Sequence, residues 1–151
     1  MSLITMLKPE LVLAKQNIVS KKRALESIAN AVSDRLHCDK NAIYSGLLSR
    51  EKLGSTGIGE GIAIPHCRLE SANHAAILIM SLESPIDFDS IDRKPVDLIF
   101  ALIVPPNECD AHLSTLAQIA QLAQSPNGLN SLRETQTNES LFVAFEKLLQ
   151  G

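Results

Sequence analysis

Two long apolar runs, Ala75 to Leu82 and Val96 to Val104, constrain this chain more than any other feature. A strand with one wet face alternates apolar and polar residues. Runs as continuous as these belong to strands that are buried on both faces. Something must cover both sides, and the rest of the chain supplies helical patterns. Ser20 is placed to cap a helix carrying Leu25, Ile28, Ala29, Val32 and Leu36 on one stripe. A second helix is expected from Asp39 to Lys52, with Ile43, Leu47 and Leu48 apolar and Gly54 as its stop signal. Arg50 falls in its last turn. Beyond Pro105-Pro106, Asp110 is expected to cap a helix from Ala111 to Gln124 that turns Leu113, Leu116, Ala120 and Ala123 inward. A short helix spans Leu129 to Arg133. A last one, Asn138 to Leu149, buries Leu141, Phe142, Phe145, Leu148 and Leu149. The expectation is one α/β domain over residues 1–151, a mixed sheet with helices on both faces.

Composition narrows the function classes. The chain has 151 residues, the size of one domain. Its net charge is −3, its longest basic run is Lys21-Lys22-Arg23, and it holds one Tyr and no Trp. Neither a phosphate-backbone footprint nor a base-stacking platform is present, so nucleic acid is not the expected partner. No run approaches the roughly 20 apolar residues of a membrane span, and the start lacks the pattern of a signal peptide. Cys38, Cys67 and Cys109 form no CxxC pair, which suggests reduced thiols and a cytoplasmic protein. No metal-ligand spacing is seen, so no metal is expected.

The chemistry concentrates between residues 50 and 66. Glycines stand at 54, 57, 59 and 61, followed by Ile62-Ala63-Ile64-Pro65-His66. Glycine lets backbone N–H groups converge, and such clusters bind anions. Ser55, Thr56 and Gly57 are therefore candidate donors to a phosphate-like oxyanion. From the glycines alone, a flexible connector explains the segment equally well. His66 tips the reading toward phosphoryl transfer, because a neutral imidazole is nucleophilic and Pro65 gives it a stiff mount. Arg50 can fork onto phosphate oxygens, and His112 can add a donor at a helix N-terminus. Taken singly, His66 reads as a structural histidine, and Arg50 and His112 as surface groups. Cys67 also invites a thiol-nucleophile reading, which no surrounding motif supports. His37 and His74 have only polar neighbours.

The stretch from Ser49 to His66, with its "REKLGSTGIGEGIAIPH", closely resembles the active-site signature of mannitol/fructose-type enzyme IIA domains of the bacterial phosphotransferase system. Ser20 to Leu25, Ser84 to Phe88, Pro95 to Phe100 and His112 to Leu116 resemble further family segments. Within the family the chain is most similar to the nitrogen-regulatory branch. The resemblance implies a phosphocarrier with His66 as the phosphorylated residue, carrying the group on its Nε2 (tele) nitrogen. It implies stabilisation by Arg50, His112, Ser55, Thr56 and Gly57, and no cofactor. A small carrier resembling HPr would be the donor, and potassium transport or sensor proteins would be regulated targets. A sugar-specific IIA that relays phosphate to a IIB domain would carry the same site, and a binding-only module would keep the fold. An apolar rim of Ile58, Ile62 and Ile64 is expected around the histidine. Cys67-Arg68 stands where many relatives have a small residue and Lys.

Overall fold

The computed structural model describes residues 6–107 and 109–150, with the side chains of residues 109–112 outside that description. A 3-10 turn, Pro9–Leu11, leads into β1, Val12–Gln16. Two helices follow, α1 (Lys21–Leu36) and α2 (Lys40–Lys52), capped by Ser20 and Asp39 side chains that accept backbone N–H groups. Three short strands come next, β2 (Gly57–Gly59), β3 (Ile62–Ala63) and β4 (His66–Arg68). The two long strands are β5 (Ala76–Ile86) and β6 (Val96–Val104). Helices α3 (Cys109–Leu122), α4 (Pro126–Arg133) and α5 (Asn138–Gln150) complete the described chain.

The six strands form one mixed sheet in the order β1-β5-β6-β3-β2, with β4 also beside β6. β5 and β6 pair antiparallel, while β1, β3 and β4 pair parallel with their neighbours β5 and β6. Alternation along the two central strands serves both faces. Leu78, Met80, Ile99, Ala101 and Ile103 pack toward Leu25, Ile28, Ile43 and Leu47 of α1 and α2. Ile77, Ile79, Leu98, Phe100 and Leu102 pack toward Leu129, Leu132, Leu141 and Phe145 of α4 and α5. Two cores explain why the apolar runs are unbroken.

β3 and β4 are one strand interrupted at Ile64 and Pro65. Ile62 faces Leu98, Ala63 faces Ile99, His66 faces Leu102 and Arg68 faces Val104, all at one constant offset. Pro65 lacks an N–H to donate, yet its carbonyl still accepts from Leu102 N–H at 2.9 Å. The proline breaks the ladder without letting the register slip, so His66 is mounted on the central strand β6.

Two expectations need correction. β5 runs four residues beyond Leu82, through Pro85 to Ile86, with a register shift between Ser81 and Ile86 that accommodates the proline. Helix α3 begins at Cys109, which puts Asp110 inside its first turn and makes His112 its fourth residue. Leu116 and Ala123 pack against the core as expected, but Leu113 is 64% exposed and Ala120 is exposed, and among the described side chains of the helix Thr115 and Ile119 are the buried ones. The apolar stripe is shifted, because the sequence offers two overlapping apolar faces and the one through Ile119 meets the core.

Candidate functional site

Arg50 and His66 come together where the last turn of α2 meets the start of β4. The Arg50 Nε–H donates to His66 Nε2 at 3.2 Å, and Arg50 Nη1 donates to the Gly54 carbonyl at 2.9 Å. On the other side of the ring, His66 Nδ1 lies 2.7 Å from the Ile64 carbonyl oxygen. These two contacts fix the tautomer. A carbonyl only accepts, so Nδ1 carries the proton; a guanidinium only donates, so Nε2 presents its lone pair. The ring is thereby held neutral with its nucleophilic nitrogen facing a cation.

The energetics agree. His66 is half-buried, and its pKa is lowered from the ordinary histidine value, first by desolvation and then by the Arg50 charge. The bond to Ile64 and the charge of Glu51 oppose that shift. A lowered folded pKa means that the neutral ring persists to lower pH than in a free histidine. Its contribution to stability is complete above about 6.5 and is lost as pH falls through the folded value. In an NMR titration His66 is expected to show a midpoint below the ordinary histidine value of about 6.5. A midpoint above that value contradicts the geometry.

The glycine-rich segment is ordered otherwise than an open anion nest. Gly57–Gly59 and Ile62–Ala63 form an antiparallel hairpin, closed by Glu60 and Gly61 at φ 58° and 81°. Gly61 has the left-handed φ that favours glycine, and a Cβ there would also stand 2.4 Å from an Arg133 nitrogen. Its donors are engaged inside the protein. The Ser55 hydroxyl donates to the Phe88 carbonyl, and Gly57 N–H donates to Ser55 Oγ at 3.0 Å. Thr56 donates its N–H to Glu51 Oε1 at 3.1 Å and its hydroxyl to Glu51 Oε2. Glu60 N–H donates to Asp92. Ser55, Thr56 and Gly57 therefore shape the loop that Arg50 grips through Gly54. The side chain of His112 lies outside the described residues.

Glu51 was not singled out from the sequence. It is 8% exposed, and its carboxylate also meets Lys21 Nζ at 3.0 Å. A charged residue at a helix end reads as solvated, and only its partners from α1 and the hairpin reveal a buried one. Cys67, also buried, packs its Sγ where a Cβ on Gly46 would come within 3.0 Å. Burial pushes its thiol up to about 12, so it stays protonated and is no nucleophile near neutral pH. The expected apolar rim is revised too. Ile62 and Ile64 are core residues, 0% and 4% exposed, and only Ile58 of the three reaches solvent. Leu53, 84% exposed, takes that place beside the histidine. With Gly46, Ser49, Arg50, Cys67 and Arg68 it lines a shallow depression of about 450 Å³ that contains His66. A larger groove of about 750 Å³ between α4 and α5 holds no histidine or arginine. Among the described residues, no three His, Cys, Asp or Glu side chains are grouped to hold a metal ion, and no helix is long and apolar enough to cross a membrane.

Comparison with known proteins gives this constellation a context. Residues 5–148 match the family described as phosphoenolpyruvate-dependent sugar phosphotransferase system, EIIA 2. The chain is 46% identical to the nitrogen regulatory protein of Pseudomonas aeruginosa over 124 residues, 82% of this chain and 80% of that one. It is 41% identical to the nitrogen regulatory protein of Escherichia coli K12 over 143 residues, 94% and 88% of the two chains. Among solved structures, IIA-Ntr from Neisseria meningitidis superposes with a TM-score of 0.87 at 31% identity, covering 93% of this chain and 96% of that one. The mannitol IIA protein of E. coli shares the fold at a TM-score of 0.77 and 17% identity, over 91% and 97% of the chains. The chain belongs to the type 2 enzyme IIA family of the phosphotransferase system.

Proposed function

We propose that this protein is a cytoplasmic phosphocarrier and regulator of the nitrogen-related branch, accepting a phosphoryl group on His66 Nε2 from the phosphohistidine of a small carrier resembling HPr. The observation that carries this reading is the tautomer lock: Nδ1–H on the Ile64 carbonyl and the Nε2 lone pair toward Arg50. In the transfer, the Nε2 lone pair attacks phosphorus while the phosphorus–nitrogen bond of the donor breaks. The bonding pair returns to the donor imidazole. The proton on Nδ1 stays in place, bonded to Ile64, so no base has to act. Arg50 then turns its N–H groups to the phosphoryl oxygens, a preorganised cation where charge arrives. Because the donor brings an activated group, the residues present suffice for the chemistry.

Regulatory use is supported by the names of the relatives at 41–46% identity. The new phosphate adds roughly −1.5 to −2 charges, by analogy with phosphorylated hydroxyls, beside the exposed Leu53. A target that packs on Leu53 in one state would have to desolvate that charge in the other. Potassium transporters and sensor proteins are the targets proposed. The mannitol IIA protein of E. coli, solved in complex with phosphorylated IIB, offers the sugar-relay alternative at the level of fold.

The test is to incubate wild type and His66→Ala with phosphoenolpyruvate, enzyme I and the carrier, and to follow acid-labile label. Wild type is expected to take up one phosphoryl group and the variant none. Undiminished label in the variant rules His66 out.

A further inference from the structure

Glu51 is the buried charge that the mechanism does not use. It follows Arg50 on α2, and its carboxylate is held by both Thr56 donors and by Lys21 of α1 at 3.0 Å. Lys21 in turn lies 4.9 Å from the centroid of the Phe88 ring and 3.7 Å from Asp89. A carboxylate with these partners is held in place and cannot swing away.

Two opposite charges, Arg50 and Glu51, thus stand on consecutive residues beside the phosphoryl acceptor, and both act on His66. Arg50 alone would favour a tightly held phosphoryl dianion. A carrier must also release its group. We propose that Glu51 is a positioning residue that tunes how firmly His66 holds its phosphoryl group: its fixed negative charge offsets part of the pull of Arg50, so that transfer to and from partner proteins stays reversible. This rests on the reading of His66 as the acceptor. The exchange itself is balanced, since one phosphorus–nitrogen bond breaks as another forms and Nδ1 keeps its proton. Lys21 partly screens Glu51, and Asp89 partly screens Lys21, so the chain of charges ends at the surface. Arg68, on the rim of the same depression, is common to every variant compared.

The experiment measures the equilibrium between phosphorylated carrier and this protein at pH 8, with the His66 titration followed in parallel. Glu51→Gln keeps the shape and removes the charge. It should shift the equilibrium toward phosphorylated His66 on the order of three- to tenfold, the range for a partly screened charge that acts on the ring. Lys21→Gln leaves Glu51 unscreened and should shift it the opposite way. Thr56→Val removes a hydroxyl but no charge, and should change it less than about twofold. Equal shifts from Glu51→Gln and Thr56→Val would show a packing role and overturn the proposal. So would shifts of the same sign from Glu51→Gln and Lys21→Gln, or none from either. If Glu51→Gln fails to fold, the sign of the Lys21→Gln shift decides. If wild type takes up no phosphoryl group, the acceptor reading fails separately. The unphosphorylated titration then decides the charge coupling: a midpoint lowered by Glu51→Gln and raised by Lys21→Gln supports it, and unmoved midpoints refute it.

Discussion

Replacing Arg50 with methionine is expected to slow phosphoryl transfer onto His66 by about 10²–10³-fold, the usual cost of removing one preorganised donor from a transition state. The guanidinium has two tasks here. Its Nε–H meets the His66 Nε2 lone pair, which on the proposed mechanism puts it where the phosphoryl oxygens would arrive. Its Nη1 anchors it to the Gly54 carbonyl, which limits how far it can stray. Methionine keeps the stem and removes the charge. Arg50→Lys restores a point charge without the planar fork, and should recover only part of the rate. Rapid-quench transfer from phosphorylated carrier measures all three proteins. Loss of less than about threefold in Arg50→Met would mean that another cation bears the transferring charge.

The largest effect on stability is expected at Phe100. It is fully buried on the central strand β6, and its ring centroid lies 5.6 Å from that of Phe145 on α5. Both residues belong to the core that joins the sheet to α4 and α5. Phe100→Ala should cost about 3–5 kcal/mol, transfer and cavity together. A domain of this kind has about 5–15 kcal/mol in total, so this one change removes a large share. Urea unfolding should show a much lower midpoint. A loss under about 1 kcal/mol would mean that the helices close over the gap, and that the core is looser than its packing indicates.

The fold was legible where apolar residues repeat. Continuous runs marked β5 and β6 as doubly buried, and the 3.6-residue period placed α1, α2 and α5. β1 escaped notice because five residues ending in Lys15 and Gln16 are too short to show a period. The small strands β2 and β4 follow from pairing with β3 and β6, which no local propensity announces. α3 shows the limit of periodicity, since a stripe through Leu113 and one through Ile119 suit its Ala-rich sequence almost equally.

The site was legible in a different way. His66 and Arg50 stood out through their motif, and the glycines drew attention to the hairpin between them. The glycines hinted at an anion nest, yet the structure uses them for a tight turn and close packing. The donors of Ser55 and Thr56 turn inward, to Phe88 and Glu51. Glu51 could be recognised only after α1, α2 and the hairpin had been brought together.

The most direct test of the central claim is the attachment point of phosphorus on wild-type protein. Label the histidine rings with ¹⁵N, phosphorylate through the carrier, and record ¹⁵N–³¹P coupling. The tautomer fixed by the Ile64 carbonyl and Arg50 predicts one coupled nitrogen, Nε2 of His66, with Nδ1 still protonated. Coupling at Nδ1, or at any nitrogen of His37, His74 or His112, would contradict it.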